Sequence, residues 1–404
     1  MINDLIIIGG GASGLCAAVY FKQKYPNSVV RILEALPRVG KKLALTGNGR
    51  CNITNKNINL SRYHGEDTEF CRYALEKYDL NFTKEFFEKI GVEIIFEEDK
   101  AYPSSFQASS VVDCLRFACE ELGVITHTET PVTDILISNG NYKVLSNQMS
   151  FLTKNLIFAT GGLAGGERLG CDGKMFKILK KADFKLVPAN PTIVQIKTET
   201  DIVKQLKGIK INAVATLGSR SDFGEVLFCD YGLSGPAVLQ ISREASYLEK
   251  TQITLDIMPN ATYNELCELL INRVNSLKNR TLDEFFTGML QKRVGQVLLK
   301  QIGCKLTEKV SSLDTKKIKA LAALMKKWEF RVTGTTGFLN AQATAGGIAT
   351  KEFKNNTMES KSAKNLYCIG EILDVDGDCG GFNLQWAWSS AFCAVDAIRN
   401  IQCF

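Results

Sequence analysis

Three glycines, Gly9, Gly11 and Gly14, stand at the spacing GxGxxG directly after the apolar run Leu5-Ile6-Ile7-Ile8. Glu34 closes a second apolar run twenty residues after the last of them. These residue types at this spacing suit a dinucleotide. Glycine at 9 permits a tight turn, glycine at 11 lets the backbone approach a pyrophosphate, and glycine at 14 lets a helix pack on the strand. Gly9, Gly11, Ala12, Ser13 and Gly14 would place phosphates on free N–H groups at the positive end of that helix. Glu34 would accept hydrogen bonds from a ribose 2′-hydroxyl and repel a 2′-phosphate. The motif alone does not separate FAD from NAD.

A second glycine-rich stretch, Thr46-Gly47-Asn48-Gly49-Arg50-Cys51-Asn52-Ile53-Thr54-Asn55, follows Lys41 and Lys42. Its backbone donors, side-chain amides and guanidinium suit a pyrophosphate or the polar edge of an isoalloxazine. Lys42, Thr46, Gly47, Gly49, Arg50, Cys51 and Asn52 are its candidates. A third stretch runs from Gly370-Glu371 through Asp374-Val375-Asp376-Gly377-Asp378-Cys379-Gly380-Gly381 to Phe382-Asn383-Leu384. A strand ends there in Gly-Glu, and a glycine turn opens the final helix. The helix N-terminus would stabilise negative charge, such as that on a reduced flavin near N1 and O2. This nominates Asp376, Gly381, Phe382, Asn383 and Leu384. Trp386 and Trp388 read as packing rather than redox relays. Cys51 lacks the nearby second cysteine of a dithiol mechanism, although Arg50 beside it would favour a thiolate. No second complete GxGxxG marks a built-in NAD(P)H domain.

The elements that must position these loops follow an α/β pattern. Residues 1–60 read as strand, helix, strand and a long loop. Residues 67–90 look helical, Ala108–Leu122 has helical periodicity, and a helix is expected near 173–182. Apolar runs near 123–138 and 150–160, with the turn signal Asn139-Gly140, read as strands. Beyond Pro188 and Pro191 strands dominate, including Ile209–Leu217, Gly224–Phe228 and Thr251–Ile257. Helices fill 262–328, short strands return near 330–350, and Leu366–Ile369 is again a strand. A parallel-sheet domain thus opens the chain (1–188) and closes it (336–404), around an insertion at 189–335. The insertion has strands at 189–261 and about 329–345 and a helical sub-insert at 262–328.

The chain has 404 residues, and its 45% hydrophobic content is ample for buried cores. No apolar stretch approaches the ~20 residues of a membrane span, and no basic n-region marks a signal peptide. Thirteen cysteines without a regular framework read as reduced, cytoplasmic cysteine. With only two histidines, His64 and His127, a zinc site or catalytic triad is not expected. Residues 262–328 hold 13 basic against 6 acidic side chains, a balance of +7 within a net +6. That segment reads first as a solvated helical face and second as a surface for nucleic acid.

Together the three loops resemble the YhiN/BaiN-like family of NAD(P)/FAD-dependent oxidoreductases, which takes in aminoacetone-oxidase-like FAD-binding proteins. The resemblance runs nearly end to end. It includes 46–55, Ala108-Ser109-Ser110-Val111-Val112, Ala159-Thr160-Gly161-Gly162, Gly224-Glu225-Val226-Leu227-Phe228, Ser234-Gly235-Pro236-Ala237, Ala345-Gly346-Gly347 and the segment from Gly370 to Ala387. It implies non-covalent FAD on a discontinuous Rossmann-like domain of the glutathione-reductase type, with an inserted small β-barrel and helical sub-domain. It also implies cofactor contacts at Thr160 and Gly161, backbone at Val132 beside the adenine, and Glu371 after Gly370 on the ribityl chain. Relatives commonly carry Thr-His where this chain has Cys229-Asp230, and a proline-containing loop where it reads Leu163-Ala164-Gly165-Gly166-Glu167-Arg168.

The expected function is FAD-dependent hydride transfer through N5, with NAD(P)H as a transient donor and an activated C=C bond in a small apolar substrate as acceptor. Oxidation of an aminoketone-type amine is the alternative, and an RNA-binding or tRNA-modifying flavoprotein is the alternative of another class. No catalytic side chain, no metal ligand and no oligomeric state is assigned.

Overall fold

Four consecutive buried aliphatics, Leu5 to Ile8, make Ile2–Ile8 (β1) a strand covered on both faces. It pairs in parallel with Val30–Leu33 (β2) on one side and with the strand Ser150–Phe158 on the other. The helix Ala12–Lys24 (α1) returns over the sheet and buries Leu15, Cys16, Ala17, Ala18, Val19 and Phe21. Burial on so many sides requires a second cover, and the closing helix Phe382–Ala397 supplies it. The computed structural model describes residues 2–398 apart from 139, 148 and 248–250.

The main sheet has seven strands. Ile125–His127 pairs in parallel with β2, and Leu366–Cys368 in parallel with the end of Ser150–Phe158. The sheet is not wholly parallel, as the alternating pattern had suggested. Val132–Ser138, Asn141–Ser146 and Ser150–Phe158 form an antiparallel meander. Ser138 pairs with Asn141, and two intervening residues are far too few for a parallel crossover. Asn139 of the expected turn lies outside the described residues. The stretch 67–90 is likewise broken. A 3₁₀ turn and the short helix Arg72–Lys77 precede Leu80–Lys89, because the Asp79 carboxylate accepts from Phe82 N–H and starts a new helix.

The chain divides into two compact units, Met1–Pro191 with Ala341–Phe404, and Thr192–Asn340. The second contains a closed antiparallel barrel, in the order Ile196–Thr198, Gly232–Ser234, Arg220–Phe228, Lys210–Leu217, Gln252–Asp256 and Trp328–Thr335. Alternate residues such as Ala213, Ala215 and Leu217, or Trp328 and Phe330, are buried, the period of two that a filled barrel demands. The helices Tyr263–Leu277, Lys292–Gln301 and Thr315–Lys326 join the same core through Leu270, Leu298 and Leu321.

Candidate functional site

The turn after β1 shows why each glycine is needed. Gly9 has φ +101°, and a Cβ there would stand 2.5 Å from the Ala159 carbonyl oxygen. A Cβ on Gly14 would stand 2.0 Å from the Gly9 carbonyl oxygen, so the first turn of α1 lies directly on the loop. At Gly11 the surroundings differ: nothing lies within 4 Å of where its Cβ would be. Gly11 is the N-cap of α1, with no side chain capping the helix and no acid in its first turn. The leading N–H groups and the positive end of the dipole are therefore presented at an open backbone. Ser13, buried in that turn, faces Gly370, whose own Cβ would stand 2.8 Å from Ser13 Oγ.

Glu34 follows β2. Its Oε2 accepts from Gly10 N–H at 2.8 Å and its Oε1 from Leu36 N–H at 2.8 Å. Burial pushes the carboxyl pKa up, against the opposing pull of these backbone donors. Each oxygen keeps a second lone pair for a hydroxyl. The Glu34 carbonyl accepts from Thr130 N–H at 2.8 Å, which brings the 127–132 segment, and with it Val132, alongside.

On the other side of the glycine turn Thr160, Gly161 and Gly162 follow the strand Ser150–Phe158. Thr160 Oγ1 is buried and has no hydrogen-bond partner. Glu371 Oε2 lies 3.8 Å from a Cβ built on Gly161 and accepts from Lys42 Nζ at 2.5 Å. Burial, the largest single influence, draws the Lys42 ammonium pKa down, but the charge and hydrogen bond of Glu371 together with nearby Cys171 leave it raised. Glu371 Oε1 accepts from Thr344 N–H at 2.7 Å. Thr344 Oγ1 in turn accepts from Leu163 and Ala164 N–H at 2.8 and 2.9 Å.

The loop 46–55 is held in a left-handed conformation, with φ of +58° at Gly47, +55° at Asn48, +83° at Gly49 and +57° at Cys51. Cys51 N–H closes it onto the Thr46 carbonyl at 3.0 Å. The Arg50 guanidinium is engaged outside the cradle. It pairs with Glu97 at 2.6 Å and stacks 4.4 Å from the Tyr102 ring and 4.3 Å from Phe106. It therefore does not activate Cys51, whose buried thiol is pushed up to about 12. That overturns the reading of Arg50 as a thiolate stabiliser. Asn52 is buried, and its Oδ1 has no partner.

The closing segment completes the arrangement. Gly370, at φ +71°, donates its N–H to Ser390 Oγ at 2.9 Å. Asn383 clamps Gly377 by accepting from its N–H at 2.9 Å and donating to its carbonyl at 2.8 Å. Tyr63 OH donates to the Phe382 carbonyl at 3.1 Å. Asp376, buried, pairs antiparallel with His64, and Leu384 packs partly buried against the core. Gly381 is the N-cap of the closing helix at φ +98°, again with no side-chain cap and no acid in the first turn. The indoles of Trp386 and Trp388 donate to the Gly370 and Ile53 carbonyls at 3.1 and 3.0 Å, which makes them anchors of two site loops.

The structure thus joins the glycine turn, Glu34, Thr160-Gly161, Lys42 and Gly370-Glu371 along one rim, and Asn52 with Gly381 along another. The Arg50 side chain and the Cys51 thiol stay out. Thr344, which ties two of the loops together, was not singled out in the sequence; no spacing rule marks it. Among the described residues no group of three His, Cys, Asp or Glu side chains is placed to hold a metal. No described helix is long and apolar enough to cross a membrane. The open backbone at Gly11, two uncapped helix N-termini and the orphaned oxygens of Thr160 and Asn52 fit a large polar cofactor of the FAD type.

A discontinuous Rossmann-type domain with this cradle and an inserted barrel is that of a flavoprotein oxidoreductase. The chain belongs to the HI0933-like family, whose Rossmann-domain description matches residues 3–397. It is 34% identical over 402 residues to the 3-dehydro-bile acid delta(4,6)-reductase of Clostridium scindens, covering 97% of this chain and 98% of that one. It is 32% identical over 411 residues to the ribosomal RNA dihydrouridine synthase of Haemophilus influenzae, covering 98% and 99%. Its fold is similar to that of an E. coli quinol fumarate reductase FrdA chain, with a TM-score of 0.53 at 15% identity over 98% of this chain and 70% of that one.

Proposed function

We propose that this protein reduces a C=C bond conjugated to a carbonyl in a small, largely apolar substrate, with NAD(P)H as electron donor and non-covalent FAD as carrier. The observation that carries the reading is the near end-to-end likeness to a delta(4,6)-reductase, on a chain whose cradle suits FAD. Saturating a uridine to dihydrouridine also reduces a ring C=C conjugated to a carbonyl. The relatives' names therefore share a bond type and differ in what carries it. Bound in the cradle, FAD would supply hydride transfer through N5.

The chain's own residues divide the binding work. Gly9, Gly11, Ala12, Ser13 and Gly14 would hold the pyrophosphate at the N-terminus of α1. Glu34 would take the ribose hydroxyls and Val132 backbone the adenine. Thr160, Gly161 and the Lys42–Glu371 pair would line the ribityl side. Thr46, Gly47, Gly49, Asn52, Asp376 and Gly381 to Leu384 would surround the ring, with Arg50 and Cys51 contributing backbone only. A single dinucleotide fingerprint leaves the nicotinamide donor and the substrate to use the site in turn.

A second reading, a uridine of ribosomal RNA as substrate, is favoured by the relative of that name and by cations of the helical segment. Lys278, Arg280 and Lys305 are exposed there and form no ion pair among the described residues. The deciding experiment is an anaerobic titration of the purified yellow protein with NADH and NADPH, then with enones, with uridine-containing RNA and, on oxidised protein, with aminoketones. Turnover of enones supports the first reading and turnover of RNA alone the second. Bleaching by aminoketones alone means amine oxidation.

A further inference from the structure

The N-terminus of the closing helix has one polar neighbour without a bond. Gly381, the N-cap, stands so close to the 52–54 segment that a Cβ on it would lie 2.7 Å from the Thr54 carbonyl oxygen and 2.9 Å from Asn52 Oδ1. Asn52 is 8% exposed, and its Oδ1 is buried with no donor in reach. The loop carrying it is fixed on both sides. Trp388 Nε1 donates to the Ile53 carbonyl at 3.0 Å, and Asn55 Nδ2 donates to the Gly380 carbonyl at 2.8 Å. A buried amide oxygen left unpaired on a loop fixed in this way costs free energy unless a ligand supplies the donor.

The donor is identified by its chemistry. The pyrimidine edge of an oxidised isoalloxazine runs acceptor, donor, acceptor: C2=O, N3–H, C4=O. N3–H is the only N–H on the oxidised ring. The uncapped helix N-terminus supplies donors for a carbonyl, and Asn52 Oδ1 supplies the acceptor for an N–H. We infer that Asn52 reads the imide edge of the flavin, accepting from N3–H beside the first turn of the closing helix. The inference rests on the FAD reading of the cradle and assigns Asn52 a positioning and flavin-selecting role, not a catalytic one.

The test is binding of two flavins to the deflavinated full-length protein, followed by flavin fluorescence. Methylation at N3 removes the donor and adds bulk. Wild type should bind 3-methyl-FAD at least about ten-fold more weakly than FAD. Asn52→Ala should bind FAD about ten-fold more weakly than wild type and discriminate between the two flavins by less than about three-fold. In wild type reconstituted with FAD labelled with ¹⁵N at N3, the N3 proton should be protected from solvent exchange, and in Asn52→Ala it should not. Equal affinity of wild type for both flavins overturns the inference, whether or not the variant folds. Undiminished discrimination in folded Asn52→Ala overturns it as well. Failure of wild type to bind either flavin overturns instead the cofactor reading beneath it.

Discussion

Both oxygens of Glu34 already accept a backbone N–H, one from Gly10 and one from Leu36. The carboxylate therefore shapes the glycine turn, and this role separates by mutation from the ribose contact proposed for it. Glu34→Ala is expected to weaken FAD binding by about 1.5–3 kcal/mol, the range for a hydrogen bond to a charged group. It should also lower the melting temperature of the FAD-free protein, because two backbone amides lose their acceptor. Equilibrium dialysis and a thermal melt check the two effects independently. Cys51 tests the opposite claim, that a residue inside a site loop does no chemistry. Burial raises its thiol to about 12, so the thiolate is scarce at neutral pH and appears only as pH rises toward that value. Alkylation near pH 8, mapped by mass spectrometry, should leave Cys51 unmodified, and Cys51→Ser should keep turnover within about two-fold. At this scale the readable residues were those whose type is dictated by the local backbone. Gly9 and Gly14 announce themselves because a side chain would collide within their own turn or with the next strand. Thr344 stayed hidden because its partners, Leu163 and Ala164, lie 181 and 180 residues away. The partners of Arg50 were not legible either: its charge suits a phosphate, whereas Glu97, Tyr102 and Phe106 become its neighbours only on folding.

Among the elements, α1 and its entry turn carry the sharpest contrast. Gly11→Ala puts a methyl where nothing stands within 4 Å, so the FAD-free melting temperature should not move while FAD binding is lost. Gly14→Ala drives a methyl onto the Gly9 carbonyl and should cost about 1–3 kcal/mol of folding stability with or without cofactor. Equal melting temperatures for the two variants would contradict this division of labour. Thr344→Val removes the acceptor of two amides and should cost about 1–3 kcal/mol, measured by denaturant unfolding. Most elements were legible because their patterns are strong: four buried aliphatics for β1, and helical periodicity for Ala108–Glu121. The antiparallel meander was not, since short apolar strands do not state their direction. Nor was the break at Asp79, where one capping side chain overrides a continuous helical pattern.

At the scale of the molecule, the family assignment and the cradle converge on a flavoprotein oxidoreductase. The order of strands, glycine loops and final helix carried that class in the sequence. The substrate was not legible, because spacing rules describe how a cofactor is held and not what approaches it. Two relatives carry names for different substrates, a bile acid and ribosomal RNA, so membership of the family does not by itself select the substrate. Reduction of a conjugated C=C bond is tested most directly by reducing the FAD-loaded protein without oxygen and mixing it with a conjugated enone in a stopped-flow spectrometer. Rapid return of the oxidised flavin band is expected, with one C=C bond saturated per flavin. A reduced flavin that stays bleached with every enone and with uridine-containing RNA, while the oxidised protein is bleached by an aminoketone, would contradict it.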